Sequence, residues 1–109
     1  MAILLTGGLG YIGSHIAHLL GKKSIIIDNQ SNSILNFKKK LPFSKVYKLN
    51  LNYQNLQKIF IKHSITGVIH LAGLKSVNES TKLPLKYHRN NVYSTLELLD
   101  CMDKFKINK

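Results

Sequence analysis

Apolar residues fall in short blocks separated by glycine-rich or polar stretches, and the blocks alternate between two kinds of spacing. Residues 2–6 form a continuous apolar run that breaks at Gly7. This predicts a strand buried on both faces and ending in a glycine turn. Over residues 14–20, Ile16, Leu19 and Leu20 keep a helical spacing, Gly21 stands as a C-cap, and Lys22 and Lys23 follow. Residues 24–27 are isoleucine-rich and predict a second buried strand that ends at Asp28. Residues 29–36 are polar and turn-prone, and residues 37–42 read equally as a poor helix or a loop.

The same alternation continues to the C-terminus. Residues 46–49 predict a third strand. A helix is expected from Asn52 or Tyr53 to His63, with Leu56, Ile59 and Phe60 on one face. Residues 66–72 predict a fourth strand, and 73–82 a loop with one short helical turn. From Pro84, a favoured first helical residue, a long helix is expected to about Met102, with Tyr87, Val92, Leu96, Leu99 and Met102 as its apolar positions. The polar tail has Phe105 and Ile107 as its large apolar residues. Strand and helix in turn argue for a parallel sheet with helices on both faces. No internal repeat and no interdomain linker interrupts the pattern.

The chemistry enters at the first turn. Gly8-Leu9-Gly10-Tyr11-Ile12-Gly13 fits G-x-G-x-x-G, and Gly7, Gly10 and Gly13 fit the related G-x-x-G-x-x-G. The pattern is weak alone, but here it follows a predicted strand and opens a predicted helix. The first glycines permit backbone angles closed to other residues. Gly10 removes a side chain where a pyrophosphate must approach, and Gly13 lets the helix pack closely. The helix N-terminus then offers N–H groups and a positive dipole to phosphates. Asp28 ends the second strand, where a carboxylate can accept hydrogen bonds from both adenosine ribose hydroxyls. A 2′-phosphate would meet its charge, so NAD is favoured over NADP. The expected fold is therefore an α/β, Rossmann-like parallel sheet.

Three segments together resemble the UDP-glucose 4-epimerases, which are extended short-chain dehydrogenases/reductases. They run over residues 6–15, 28–33 and 70–80, and residues 84–92 are similar to the helix that follows in that family. The Ala72-Gly73-Leu74-Lys75-Ser76-Val77-Asn78-Glu79-Ser80 stretch is the most specific of them. The resemblance implies that Gly7, Gly10, Tyr11 and Ile12 line the pyrophosphate, and that Asp28, Asn29, Asn32 and Ser33 hold the adenosine ribose. It implies Leu71, Ala72 and Gly73 as the floor under the cofactor, Lys75 at the nicotinamide-side ribose or phosphate, and Asn90 near the nicotinamide. Val77 and Asn78 would face a sugar-nucleotide. Where the family places an Asp on the adenine amino group, this chain has Asn50, followed by Leu51. An amide oxygen can still accept that hydrogen bond, without the charge.

The resemblance also implies a hydride taken from the sugar by NAD and returned to its other face, with a Tyr-x-x-x-Lys pair and a Ser or Thr handling the proton. Four residues after the five tyrosines stand His15, Leu51, Gln57, Asn91 and Glu97, so no Tyr has that Lys. The expectation is a chain ending after the fourth strand and its helix: an incomplete NAD-binding domain over 1–109, without catalytic residues, the catalytic strand or a substrate domain. A UDP-sugar would then bind only if the missing half were supplied. The fourth strand is expected to be an exposed apolar edge, prone to self-association.

Length and composition narrow the alternatives. At 109 residues and 44% hydrophobic, the chain is one domain or part of one, and ordered. No apolar run approaches the roughly 20 residues that span a bilayer, and no basic n-region precedes residue 2. Cys101 is the single cysteine, so no internal disulfide forms, and a cytoplasmic setting is the default. Cys101 itself is expected to be core-facing, and His70 a buried structural histidine. His15 and His18 share a helix face but lack a third ligand, so no metal is expected. The formal charge of +11 raises a nucleic-acid-binding reading. Scattered lysines without interleaved aromatics favour a lysine-biased background, with no specific nucleic acid and no membrane partner. The remaining alternatives are a free-standing NAD-binding or regulatory module and a fragment of another extended nucleotide-sugar reductase or epimerase.

Overall fold

A computed structural model of the chain describes residues 1–29, 41–73 and 77–109, with Val77 by its backbone only. The elements are β1 (Ala2–Thr6), α1 (Tyr11–Leu20), β2 (Ser24–Ile27), β3 (Lys45–Tyr47), α2 (Tyr53–Lys62), β4 (Ile65–His70), α3 (Val77–Lys82), α4 (Pro84–His88) and α5 (Ser94–Lys104). A 3₁₀ turn (Gly21–Lys23) follows α1, and a π-helical turn (Arg89–Tyr93) joins α4 to α5. All strand pairings are parallel, in the order β3-β2-β1-β4. This is the first part of the doubly wound order, with β1 central and the strand ends aligned on one side.

The continuous apolar runs of β1 and β2 are explained by cover on both faces. Leu4, Ile25 and Ile27 pack with Leu56, Ile59 and Phe60 of α2 and with Leu98 and Cys101 of α5. On the opposite face Leu5 and Ile26 pack with Leu9, Ala17 and Leu41. Successive residues of each strand therefore serve different clusters, as a strand's period of two requires. The α2 prediction holds to within a residue: Asn52 caps the helix by accepting from Asn55 N–H at 2.9 Å. Glu97 of α5 adds a second anchor, its Oε2 accepting from Tyr53 N–H at 2.6 Å.

Some expectations change. The third strand runs over Lys45–Tyr47, so Leu49, expected in it, lies beyond its end. Leu71 and Ala72 lie beyond β4, which ends at His70: Leu71 N–H still reaches the Thr6 carbonyl of β1 at 3.0 Å, but Ala72 N–H turns to the Thr6 hydroxyl at 3.1 Å. The long helix is not one regular rod, and its inward face differs from the expected one. Leu98 and Cys101 are buried, whereas Leu96 and Leu99 are each 52% exposed and Val92 is 37% exposed. The π turn accommodates an extra residue per turn, so a periodicity counted straight from Tyr87 arrives on the wrong face. Tyr87 is buried, and Met102 packs against the core cluster as expected. Phe105 and Ile107 also pack there, with the Phe60 and Phe105 ring centroids 5.4 Å apart.

β4 pairs with β1 along one edge. On its other edge Val68 N–H donates to the Lys109 carbonyl at 2.8 Å. Among the described residues, no helix is long and apolar enough to cross a membrane.

Candidate functional site

The aligned strand ends bring the glycine turn, Asp28 and the segment after β4 together. Gly7 N–H donates to the Ile27 carbonyl at 2.9 Å, and Asp28 N–H donates to the Tyr47 carbonyl at 3.0 Å. Each bond extends a strand ladder by one step and levels the ends of β1, β2 and β3. The turn then folds over Asp28: Leu9 N–H donates to the Asp28 carboxylate at 3.0 Å.

The glycines divide their work. Gly7 has φ +69°, and a Cβ there would lie 2.8 Å from the backbone of Ala72. Gly7 is thus required both by its left-handed conformation and by the close approach of the segment after β4. Gly13 is buried, and a Cβ on it would collide with the Gly7 carbonyl oxygen. Its absence of a side chain seats α1 on the turn, the packing role expected of it. Gly10 differs: a Cβ would meet only the Gly7 carbonyl, at 3.3 Å, and otherwise enters open space. Little inside the protein demands glycine there, which fits a cradle that must stay open to a ligand.

Helix α1 begins at this cradle. Gly10 is its N-cap, without a side-chain cap bond, and the first turn carries no acidic residue. Tyr11 and Ile12, expected at the pyrophosphate, are 82% and 57% exposed on that turn. An uncapped, uncharged N-terminus beside an open glycine is a ready anion site. A dinucleotide pyrophosphate fits these residues, with Asp28 one strand away for a ribose.

The remaining expected residues fall in three groups. Leu71, Ala72 and Gly73 lie beside Gly7, held by Thr6, whose hydroxyl accepts from Leu71 N–H at 3.0 Å and Ala72 N–H at 3.1 Å. Asn29 and Asn50 meet beyond Asp28, with Asn29 Nδ2 donating to Asn50 Oδ1 at 3.2 Å, and Leu51 packs inward toward the core. Asn90 is exposed in the π turn and donates to Asn91 Oδ1 at 3.0 Å. Asn78 is exposed on α3. Asn32, Ser33, Lys75 and the Val77 side chain lie outside the described residues.

Sequence reasoning missed the hydrogen-bond chain that fixes the floor of the site. Thr6 Oγ1 already accepts two N–H groups, so its own proton goes to His70 Nδ1, 2.6 Å away. His70 must then carry its proton on Nε2, which donates to Thr95 Oγ1 at 2.9 Å. Thr95 in turn donates to the Asn91 carbonyl at 2.7 Å. This neutral tautomer agrees with burial, which lowers the His70 pKa from the usual histidine value. His70 is therefore structural, but half-buried rather than buried, and it acts through Thr6 and Thr95 on two other elements that no local pattern announces. Asn91 also places its Oδ1 3.2 Å from where a Cβ on Gly73 would stand. His15 Nδ1–H donates to the Tyr11 carbonyl at 2.7 Å. Cys101 is fully buried, and burial raises its thiol pKa, which makes it unreactive.

Comparison with known proteins places this geometry. The family model described as GDP-mannose 4,6 dehydratase matches residues 4–109. A UDP-glucose 4-epimerase of Dictyostelium discoideum is 44% identical over 116 aligned residues, covering 98% of this chain and 34% of that protein. The UDP-glucose 4-epimerase of Stenotrophomonas maltophila, crystallised with NAD and formylated UDP-arabinopyranose, superposes with a TM-score of 0.89 at 30% identity, over 99% of this chain and 35% of that one. The Bifidobacterium longum UDP-glucose 4-epimerase, in complex with NAD+ and UDP, gives a TM-score of 0.87 at 35% identity, over 98% of this chain and 35% of that one. The chain thus spans about a third of the length of these relatives, corresponding to their N-terminal portion. The chain belongs to the family described by the GDP-mannose 4,6 dehydratase model, and the relatives it resembles there are UDP-glucose 4-epimerases.

Proposed function

We propose that this chain is the NAD-binding portion of a UDP-glucose 4-epimerase and binds NAD across the ends of β1, β2 and β3. The observation that carries the reading is the Leu9–Asp28 hydrogen bond at 3.0 Å, which joins the glycine turn to a carboxylate at the end of the neighbouring strand. Gly7, Gly10, Tyr11, Ile12 and Gly13 form or support the phosphate cradle. Asp28 and Asn29, with Asn32 and Ser33, hold the adenosine ribose, and Asn50 and Leu51 stand at the base. Leu71, Ala72 and Gly73 are the floor, and Lys75 and Asn90 serve the nicotinamide half.

Bound NAD would supply a hydride acceptor and donor. The chain's own residues bind and orient it but provide no Tyr-x-x-x-Lys pair to move the sugar hydroxyl proton. The domain is on this reading incomplete, and Val77 and Asn78 contact a UDP-sugar only when the remaining part of the fold is supplied. The setting proposed is cytoplasmic, and the second edge of β4 is proposed to pair with another copy of the chain.

Isothermal titration of the purified chain with NAD tests the binding reading, with NADP as the control. Saturable NAD binding with much weaker NADP binding is expected, and no binding of either refutes it. Interconversion of UDP-glucose and UDP-galactose by the chain alone should be undetectable; turnover would show that other residues supply the proton transfer.

A further inference from the structure

We propose that Asn50 makes this site tolerant at position 6 of the purine, so that it takes the hypoxanthine dinucleotide about as well as NAD. The inference rests on the NAD reading above. Its first support is placement. Parallel strands lie about 4.8 Å apart, and the ends of β1, β2 and β3 are levelled by the Gly7–Ile27 and Asp28–Tyr47 hydrogen bonds. Phosphates at the β1 turn and a ribose at Asp28 put the attached base one strand further out. Asn50 stands there, tied to Asn29 by the 3.2 Å bond between their side chains.

The residue is held by its backbone while its side chain remains exposed. Its carbonyl accepts from Asn52 N–H at 3.1 Å and from Asn55 Nδ2 at 2.9 Å. The side chain carries both a donor and an acceptor. Adenine presents an amino donor at C6 and an acceptor at N1; hypoxanthine presents a carbonyl acceptor and an N1–H donor. With Oδ1 engaged by Asn29, the Asn50 Nδ2 is a donor that adenine N1 and the hypoxanthine carbonyl can each accept. A carboxylate at this position could only accept, from the adenine amino group or from hypoxanthine N1–H, and could donate to neither base.

The test is titration of the full chain with NAD and with nicotinamide hypoxanthine dinucleotide, followed by circular dichroism to confirm folding. The two dissociation constants are expected to agree within about threefold. Asn50→Ala should weaken both dinucleotides by a similar factor. A wild-type preference for NAD of more than about threefold, or Asn50→Ala binding both dinucleotides as the wild type does, overturns the inference while leaving NAD binding intact. Failure of both dinucleotides to bind the folded wild-type chain removes the cofactor reading and this inference with it.

Discussion

The Asp28 carboxylate accepts a hydrogen bond from the Leu9 backbone at 3.0 Å, so the acid at the end of one strand grips the glycine turn at the end of the next. The bond holds the carboxylate at the turn before any ligand arrives. A charged acceptor on a backbone N–H is among the stronger hydrogen bonds. Asp28→Asn keeps an oxygen for Leu9 but removes the charge. Titration should show NAD binding weakened roughly 10- to 100-fold, the range expected for losing charge-assisted bonds. The NAD-over-NADP preference should shrink as well. An unchanged preference would place the selectivity elsewhere.

The three motif glycines should separate by assay. Gly10→Ala is expected to lose less stability than the other two, because its Cβ meets one atom, at 3.3 Å, yet to lose NAD binding. Gly7→Ala combines a positive φ with 2.8 Å clashes and should lose about 1–3 kcal/mol or more of stability. Gly13→Ala should destabilise likewise, since the Gly7 carbonyl would have to move. Thermal denaturation beside titration distinguishes the two classes. A Gly10→Ala variant that binds NAD normally would remove that glycine from the phosphate cradle.

The Thr6–His70–Thr95 chain predicts a pH dependence. Burial lowers the His70 pKa in the fold relative to the unfolded chain. The unfolded chain therefore binds the proton more readily in the window below about pH 6.5. Stability conferred by neutral His70 is full above that value and is lost as pH falls through the folded pKa. His63, lowered by burial and by Lys62 and Lys45, acts in the same direction. Denaturant midpoints should fall between about pH 7.5 and about pH 5.5. His70→Asn and His63→Gln should each reduce that fall, and a midpoint unaffected by either substitution would contradict the assignment.

Leu98 and Leu99 are neighbours with opposite surroundings, 2% and 52% exposed. Leu98→Ala should cost about 2–5 kcal/mol, as buried truncations do. Leu99→Ala should stay within about 0.5 kcal/mol. Equal losses in urea denaturation would mean that the π turn does not set the face of α5 in solution.

Association through β4 is expected to appear as a concentration-dependent sedimentation coefficient. A monodisperse monomer across the range that can be reached would argue that the Val68–Lys109 contact suffices to close that edge.

Much of this molecule was determined by sequence alone, wherever the signal is local. Four apolar residues from Ala2 to Leu5, followed by Thr6, make a strand covered on both sides. Leu56, Ile59 and Phe60 mark the buried face of α2, and glycines after a strand mark the tight turn that opens α1. Each depends on backbone freedom or on a period of a few residues. The tertiary structure decided what depends on partners distant in the chain. Gly7 meets Ala72, and Glu97 anchors the start of α2. Thr6, His70 and Thr95 find each other from three elements. The π turn redirects α5 so that Leu98, rather than Leu99, enters the core. Hydrogen-bond partners and packing faces are set by where strands and helices come to rest, and a one-dimensional pattern carries no record of those positions.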